Sequence, residues 1–427
     1  MDSRLRAVVT VATVGVALLA SGSAVAGTGA LAGSLSRHAW GGAEEVPGIA
    51  ALNQGGNAEI ASVSCASAGN CSAGGQYMDS SVRRQAFVVS QANGTWGAAI
   101  EVPGTAALNQ GGNAFITSVS CASADNCSAG GYYRDGFSQR QAFVVNQANG
   151  TWHTAIKVPV AAALRHGNAS ITSVSCGSAG NCSAGGEYLD NSRGHQAFVV
   201  SQANGTWGAA IEVPGTAALN QGGNAYITSV SCASAGNCSA GGSYIDSSGH
   251  RQAFVVNQVN GTWHTAIEVP GTAVLNRGGN ADITSVSCAS AGNCSASGDY
   301  TDSSGRNQVF VVSQINGTWH TAIEVPGTAA LNQGKDAAIF SVSCAAAGNC
   351  SAGGYYASSR ASDQAFVVNQ VNGTWHTAIE VPGTAALNRG GTAFINSVSC
   401  AAAGNCSAGG FYTDSSGRGQ AFVDSET

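Results

Sequence analysis

The run AFITSVSC (114–121), followed by CSAGGYY (127–133), QAFVVNQ (141–147) and TWHTAIKVP (151–159), decides the fold of this chain. In the first run Ile116 and Val119 fall on opposite sides of an alternating pattern. In the last, Trp152, Thr154, Ile156 and Val158 fall on one side. Period-two runs rich in β-branched and aromatic residues read as strands, and no stretch of useful length carries a helical period. A Cys-x5-Cys loop joins the first two strands, a turn such as YTDSSGR (300–306) joins the second and third, and Asn-Gly joins the third and fourth. Asn-Gly between such runs is a strong hairpin signal. The unit is therefore a four-stranded antiparallel meander, and a Gly/Asn-rich link, GTAALNQGGN (104–113), leads to the next.

The unit recurs. Trp40, Trp96, Trp152, Trp207, Trp263, Trp319 and Trp375 mark seven copies at a step of about 56 residues, one copy being a residue shorter. Sheets of four strands repeated radially make a β-propeller. The expected fold is all-β, a seven-bladed propeller of four-stranded antiparallel blades. The last copy stops at Gln420–Val423, a third strand without a fourth, while Trp40 to Pro47 is a fourth strand without the three before it. Pairing of that N-terminal strand with the C-terminal blade would close the ring, whereas an open solenoid would need capping repeats.

The segments SQANGTW (90–96), NQANGTW (146–152), NQVNGTW (257–263) and SQINGTW (313–319) resemble a shortened, degenerate Asp-box hairpin of sialidase-like propellers. The preceding SVSCASAGNCSAGG unit resembles the repeat of secreted bacterial propeller proteins. The resemblance covers residues 40–424 and departs from the Asp-box where its aspartate would stand, Asn93 and its equivalents lying beside glycine instead. It implies a structural hairpin and does not imply the catalytic machinery of sialidases.

At the N-terminus Arg4 and Arg6 precede an uncharged run from Ala7 to Ala20, with a small-x-small site at Ala24-Val25-Ala26. This reads as a bacterial-looking signal peptide over residues 1–26, too short for a stable membrane span. A linker (27–39), the propeller (40–424) and a short tail (425–427) follow, and the expected protein is secreted and monomeric. The 14 cysteines pair by spacing: Cys65 with Cys71, Cys121 with Cys127, Cys176 with Cys182, Cys232 with Cys238, Cys288 with Cys294, Cys344 with Cys350, and Cys400 with Cys406. An even count in an exported chain reads as disulfides. No metal or cofactor is expected, because the modules lack zinc-type ligand spacing. Charged residues are only 9% with a net charge of −6, against the dense basic patch that nucleic acid requires.

Propeller topology puts the disulfide loops and Asn-Gly hairpins on one face, and the second-to-third turns and links on the other. Most lysines and arginines fall in or beside those turns and links. So do Asp79, Asp135, Asp190, Asp246, Asp302 and Asp414, each two residues after a tyrosine: Tyr77, Tyr133, Tyr188, Tyr244, Tyr300 and Tyr412. Polar and aromatic residues on loops over a rigid scaffold suit a polar ligand, although Asp-Ser-Ser-Gly is also ordinary turn chemistry. His153, His264, His320 and His376 follow the tryptophans, with Glu268, Glu324 or Glu380 four residues beyond the last three, read as protection of an outer strand edge. Departures from the repeat include Val160, Lys335-Asp336, Asp282, Asp299 and Glu187, the last grouped with Arg165 and His166. The function expected is a non-enzymatic binding propeller taking cell-surface or extracellular glycans at repeated Tyr/Asp sites. An adhesive or structural scaffold is the alternative, and a glycan-active hydrolase or lyase is a third reading by fold analogy alone.

Overall fold

The computed structural model describes residues 44–159, 168–358 and 362–426. The expected signal peptide, the linker and Trp40 lie outside them. Of the strand expected to close the ring, the described part, Glu44–Pro47, forms no strand, and the last blade is a three-stranded sheet. The described chain is an all-β propeller of seven antiparallel sheets. In blade two the inner strand Ala114–Ser123, the second strand Asn126–Arg134 and the third strand Arg140–Ala148 pair in chain order. The other blades repeat this order from Ala58–Ser67 in blade one to Ala393–Ala402 in blade seven. At the hairpin Asn149 and Gly150 both take positive φ, 48° and 80°, the conformation that a two-residue type I′ turn demands.

Two expectations need correction. The fourth strand is broken into Thr151–Trp152 and Ile156–Lys157, both paired with the third strand. Between them the Ala155 N–H turns away and donates to the Pro103 carbonyl of the preceding link at 2.7 Å, a bond repeated from Ala99 to Pro47 and from Ala378 to Pro326. The link is also ordered. Thr105–Leu108 forms a single helical turn, too short for a helical period to show in sequence. Asn109 then clamps the link, its Nδ2 donating to the Arg84 carbonyl at 2.9 Å and to Gln85 Oε1 at 2.8 Å.

All seven expected disulfides form, one in each blade. Cys65 is bonded to Cys71, Cys121 to Cys127, Cys176 to Cys182 and Cys232 to Cys238. Cys288 is bonded to Cys294, Cys344 to Cys350 and Cys400 to Cys406. Each bridge joins facing residues of the inner and second strands, as the register of Cys121 opposite Cys127 and Cys176 opposite Cys182 shows. Closing so short a loop stabilises by about 2 kcal/mol in the chain-entropy model. The bridges also meet the neighbouring blade, since Cys182 and Cys238 lie against Ser128 and Ser183 Oγ at 3.3 and 3.5 Å.

The core lies between blades. Ala86 and Val88 of blade one share a cluster with Ile116, Val119, Tyr133 and Phe143 of blade two, and the same set recurs along the chain. At the closest approach the second strand carries glycine in every blade but the fifth, which has Ser297. A Cβ built on Gly74 would stand 2.8 Å from Ile116 Cγ2. The inner strand is a sheet edge whose outward N–H groups need partners, and serines of the preceding blade supply them. Ser62 Oγ accepts from Val119 N–H at 2.9 Å and Ser64 Oγ from Cys121 N–H at 3.0 Å. The pattern continues through Ser229 to Val286 and Ser341 to Val398, each at 3.0 Å. On the disulfide side Trp152 Nε1 donates to Ser90 Oγ and Trp207 Nε1 to Asn146 Oδ1 of the preceding blade.

Ser229→Ala leaves the buried Val286 N–H without its acceptor, so it should lower stability by about 1–3 kcal/mol. Ser303→Ala, in an exposed turn, should change little. Hydrogen exchange at Val286 and thermal melting check both, and equal effects would contradict this role for the serines.

Candidate functional site

The tyrosines and aspartates singled out by sequence are separated by the strand itself. Tyr77, Tyr133, Tyr188, Tyr244 and Tyr300 are each 3% exposed, and Tyr412 is half-buried. The second strand runs through Met78, so Tyr77 shares the inward side of Ala73 and packs against Phe87. Four of the hydroxyls donate to the split outer strand: Tyr77 to Glu101, Tyr188 to Glu212, Tyr244 to Glu268 and Tyr300 to Glu324, at 3.0–3.2 Å. Burial first, and then the neighbouring Glu charge, hold these phenols well above their ordinary value. In blade two, burial and Asp135 raise Tyr133 to about 12.

The aspartates serve their own turns. Asp246 Oδ1 accepts from the Ser248 and His250 N–H groups, and Oδ2 accepts from Gln252 Nε2. Asp79, Asp135, Asp190, Asp302 and Asp414 hold equivalent sets. Burial alone would push Asp246 up, but these hydrogen bonds outweigh it and hold the carboxyl below its ordinary value. The expectation of an open tyrosine–aspartate surface is thus corrected: the tyrosines are packed inside and the aspartates are engaged within the turns. Glu268 and Glu324, expected to guard a strand edge, anchor tyrosine hydroxyls.

The positions where the modules differ lie elsewhere and together. Seven facing pairs on the inner and second strands read Glu59/Gln76, Phe115/Tyr132, Ser170/Glu187, Tyr226/Ser243, Asp282/Asp299, Ala338/Tyr355 and Phe394/Phe411. A second facing pair, Met78/Arg84 in blade one and Ile245/Arg251 in blade four, varies as widely. Gln76 and Met78 alternate with Tyr77 on the strand, so they share the side of Gly74, which faces the next blade. Of these residues Gln76, Ser170, Ser243, Tyr355 and Phe394 are buried, while Phe115, Tyr132, Glu187 and Phe411 keep partial exposure.

At the link end of the blades they reach across to one another. Arg140 lies 4.7 Å from the ring centroid of Tyr132 and 3.9 Å from Glu187 of blade three, which also meets His195 Nδ1 at 2.9 Å. Arg251 and Tyr226 of blade four both engage Asp282 of blade five, at 3.1 and 3.2 Å. Tyr355 donates to Asp336 at 3.0 Å and packs on Phe394 with centroids 4.3 Å apart. Phe340 and Phe411 extend this aromatic arc, and Phe137 stands 88% exposed on the blade-two turn.

Asp299 is enclosed between blades five and six while keeping some solvent contact. Its Oδ1 accepts the Ile339 N–H at 2.9 Å. Enclosure first, and then the charges of Asp282 and Asp336, push its carboxyl well above the carboxylate range, against the pull of that N–H. Arg165 and His166 lie outside the described residues. Glu187, grouped with them by sequence, is engaged by Arg140 and His195. Among the described residues no three His, Cys, Asp or Glu side chains converge to hold a metal, and no helix is long and apolar enough to cross a membrane.

No protein family and no curated relative matches the chain. Among solved structures it is similar to a Hadza microbial sialidase, at 11% identity and a TM-score of 0.39, covering 81% of this chain and 73% of that one. It is similar also to the Trypanosoma rangeli sialidase in complex with sialic acid, at 11% identity and a TM-score of 0.37, covering 77% and 54%. A variant of the Aleuria aurantia lectin in complex with α-methyl-L-fucoside gives 12% identity and a TM-score of 0.36, covering 76% and 95%. Likeness at this level leaves function to be argued from the residues themselves.

Tyr244→Phe should cost about 1 kcal/mol of stability through the lost bond to Glu268 and leave ligand retention unchanged. A loss of retention at constant stability would restore the tyrosines as ligand contacts. Asp299 yields a pH prediction. A carboxyl whose folded value is raised contributes stability below its unfolded value of about 4, and that contribution is lost as pH rises toward the folded value. Asp299→Asn keeps the acceptor for Ile339, so its Tm should match the parent at pH 4 and exceed it by about 1 °C or more at pH 8. A lower Tm at pH 8 would show that the ionised carboxylate is the favoured form.

Proposed function

We propose that this chain is a secreted binding propeller, not an enzyme, that recognises carbohydrate through the link-side clefts where its modules differ. One observation carries the reading. In modules that are otherwise closely similar, the widest differences in side-chain chemistry fall at the link end of the inner and second strands, at side chains that touch across blade boundaries. The polar groups common to every module serve the fold, as Tyr244, Asp246 and Asn276 do. Aromatic rings such as Tyr132 and Phe411 offer apolar surface to the C–H faces of a sugar, and neighbouring Arg and carboxylate groups offer partners for its hydroxyls. Seven disulfides suit the oxidising environment outside the cell.

The clefts differ from blade to blade, so this reading is of a few distinct subsites, in place of equal sites acting through avidity. A hydrolase or lyase is the second reading. Its single support is Asp299, an enclosed acid whose carboxyl is pushed up by burial and by the charges of Asp282 and Asp336.

The test is a glycan and cell-wall polysaccharide array probed with the oxidised protein. Tyr132→Ala and Phe411→Ala should each lower retention at least about tenfold, a loss of roughly 1.4 kcal/mol, while Tyr244→Phe and His264→Ala retain it. Retention indifferent to both cleft variants would sink the assignment. Release of sugar fragments that Asp299→Asn abolishes would favour the enzyme reading.

A further inference from the structure

We infer that the disulfide face, opposite the proposed site, carries binding sites of its own for a single neutral sugar residue, at the blade boundaries that follow Asn146 and Asn257. The third strand alternates serine and asparagine at one position: Ser90, Asn146, Ser201, Asn257, Ser313 and Asn369. Either residue accepts the indole N–H of the next blade, Ser90 from Trp152, Asn146 from Trp207, Ser201 from Trp263, Asn257 from Trp319 and Ser313 from Trp375. The alternation therefore leaves the indoles alike. It falls on the glutamine that pairs with each tryptophan.

Where serine stands, that glutamine is satisfied at both ends. Gln147, Gln258 and Gln370 donate from Nε2 to Ser90, Ser201 and Ser313 at 2.8–3.0 Å, and their Oε1 atoms accept from Ser72, Ser183 and Ser295 at 3.0–3.4 Å. Where asparagine stands, its own Oδ1 takes the serine hydroxyl, Ser128 donating to Asn146 at 3.1 Å and Ser239 to Asn257 at 3.0 Å. Gln202, 5% exposed, is left with a buried Oε1 that has no partner among the described residues. Gln314 keeps a 3.4 Å contact to Ser239, whose one proton Asn257 holds, and spends a single Nε2 hydrogen, on the Gly317 carbonyl. After Asn369 the glutamine position holds Glu426, again with one buried oxygen unpartnered, though its charge sets that boundary apart. A buried amide with unspent capacity calls for an occupant.

There is room for one. Between blades four and five, Asn257 and Gln314 line a cleft of about 250 Å³ with Val259 and the Cys288–Cys294 bridge as apolar walls, and no charged side chain lines it. The next boundary holds a cleft of about 220 Å³ built on Ser313 and Gln370, so the shape recurs while the amide chemistry alternates. An uncharged lining disfavours an ionic ligand. Hydroxyls, which donate and accept, match an amide with capacity at both ends, and the C–H face of a ring matches Val259 and the bridge. The volume falls below the roughly 300–1,000 Å³ of sites for drug-sized ligands, which suits one ring and not a chain. A ring so held binds in the millimolar range, too weakly to retain the protein on an array.

The test is fluorine NMR on the full, oxidised chain labelled with fluorotryptophan and titrated with the methyl glycosides of glucose, galactose and N-acetylglucosamine. At least one glycoside should shift the Trp207 and Trp319 lines saturably and leave those of Trp152, Trp263 and Trp375 in place. Asn146→Ser with Asn257→Ser gives each glutamine its missing partner and should weaken the response at least about tenfold; serine already stands there in alternate blades, so Tm should not fall. Ser313→Asn should bring the Trp375 line into the response. No shift with any glycoside would overturn the inference and leave water alone in the clefts, and equal shifts of all these lines, or shifts that survive in the double variant, would overturn it as well. Tyr132→Ala, which bears on the link side, should not change these shifts, so the two sugar readings can fail separately.

Discussion

The interaction on which the rest of this structure depends is a serine hydroxyl accepting a backbone N–H from the next blade. The inner strand of each sheet has no strand beyond it, and an unpartnered edge exposes donors that water cannot reach once the blades pack. Ser118 and Ser120 capture the Val174 and Cys176 N–H groups, each at 3.0 Å, and the same pair of bonds recurs along the chain. The hydroxyl lies on a side chain short enough to let two inner strands approach, and that approach brings Ile171 onto Gly130. A longer polar side chain would hold the blades apart, and alanine would leave the edge unsatisfied.

This constraint explains why the modules are so alike. The serines, the glycine that receives isoleucine, the buried tyrosine with its glutamate, and the Asn276–Gln252–Asp246 relay that binds link to turn are all joined to one another or to the next blade. A change at any of them is felt at a blade boundary. The facing pairs at the link end of the inner and second strands differ from blade to blade on this shared backbone. Arg251 with Asp282, and Tyr355 with Phe394, are built on the same backbone yet form opposite chemistries.

Much of the fold was legible in the sequence, because tryptophan spacing, alternation, Asn-Gly hairpins and cysteine pairs are local signals repeated in every module. The break in the outer strand was not, since it arises from an Ala155 N–H that chooses the Pro103 carbonyl of another blade. The one-turn helix at Thr105–Leu108 was hidden by its length. The tyrosines were misplaced because Tyr77 was counted with its turn. Alternation carried back to Ala73 would have set it on the inward side. The cleft residues were half visible: Asp282, Asp299 and Glu187 stood out as departures from the repeat, but only the strand register put them opposite their partners.

The central claim is that the shared residues make the fold and the differing residues make the function. Its most direct measurement is a chain in which all seven facing pairs at the link end of the inner and second strands are replaced by threonine, compared with the parent by thermal melting, tryptophan emission and retention on immobilised glycans. The account predicts a folded chain with parent-like tryptophan emission, a somewhat lower Tm from the lost aromatic contacts, and no retention. A uniform chain that binds as the parent does, or one that fails to fold, would contradict it.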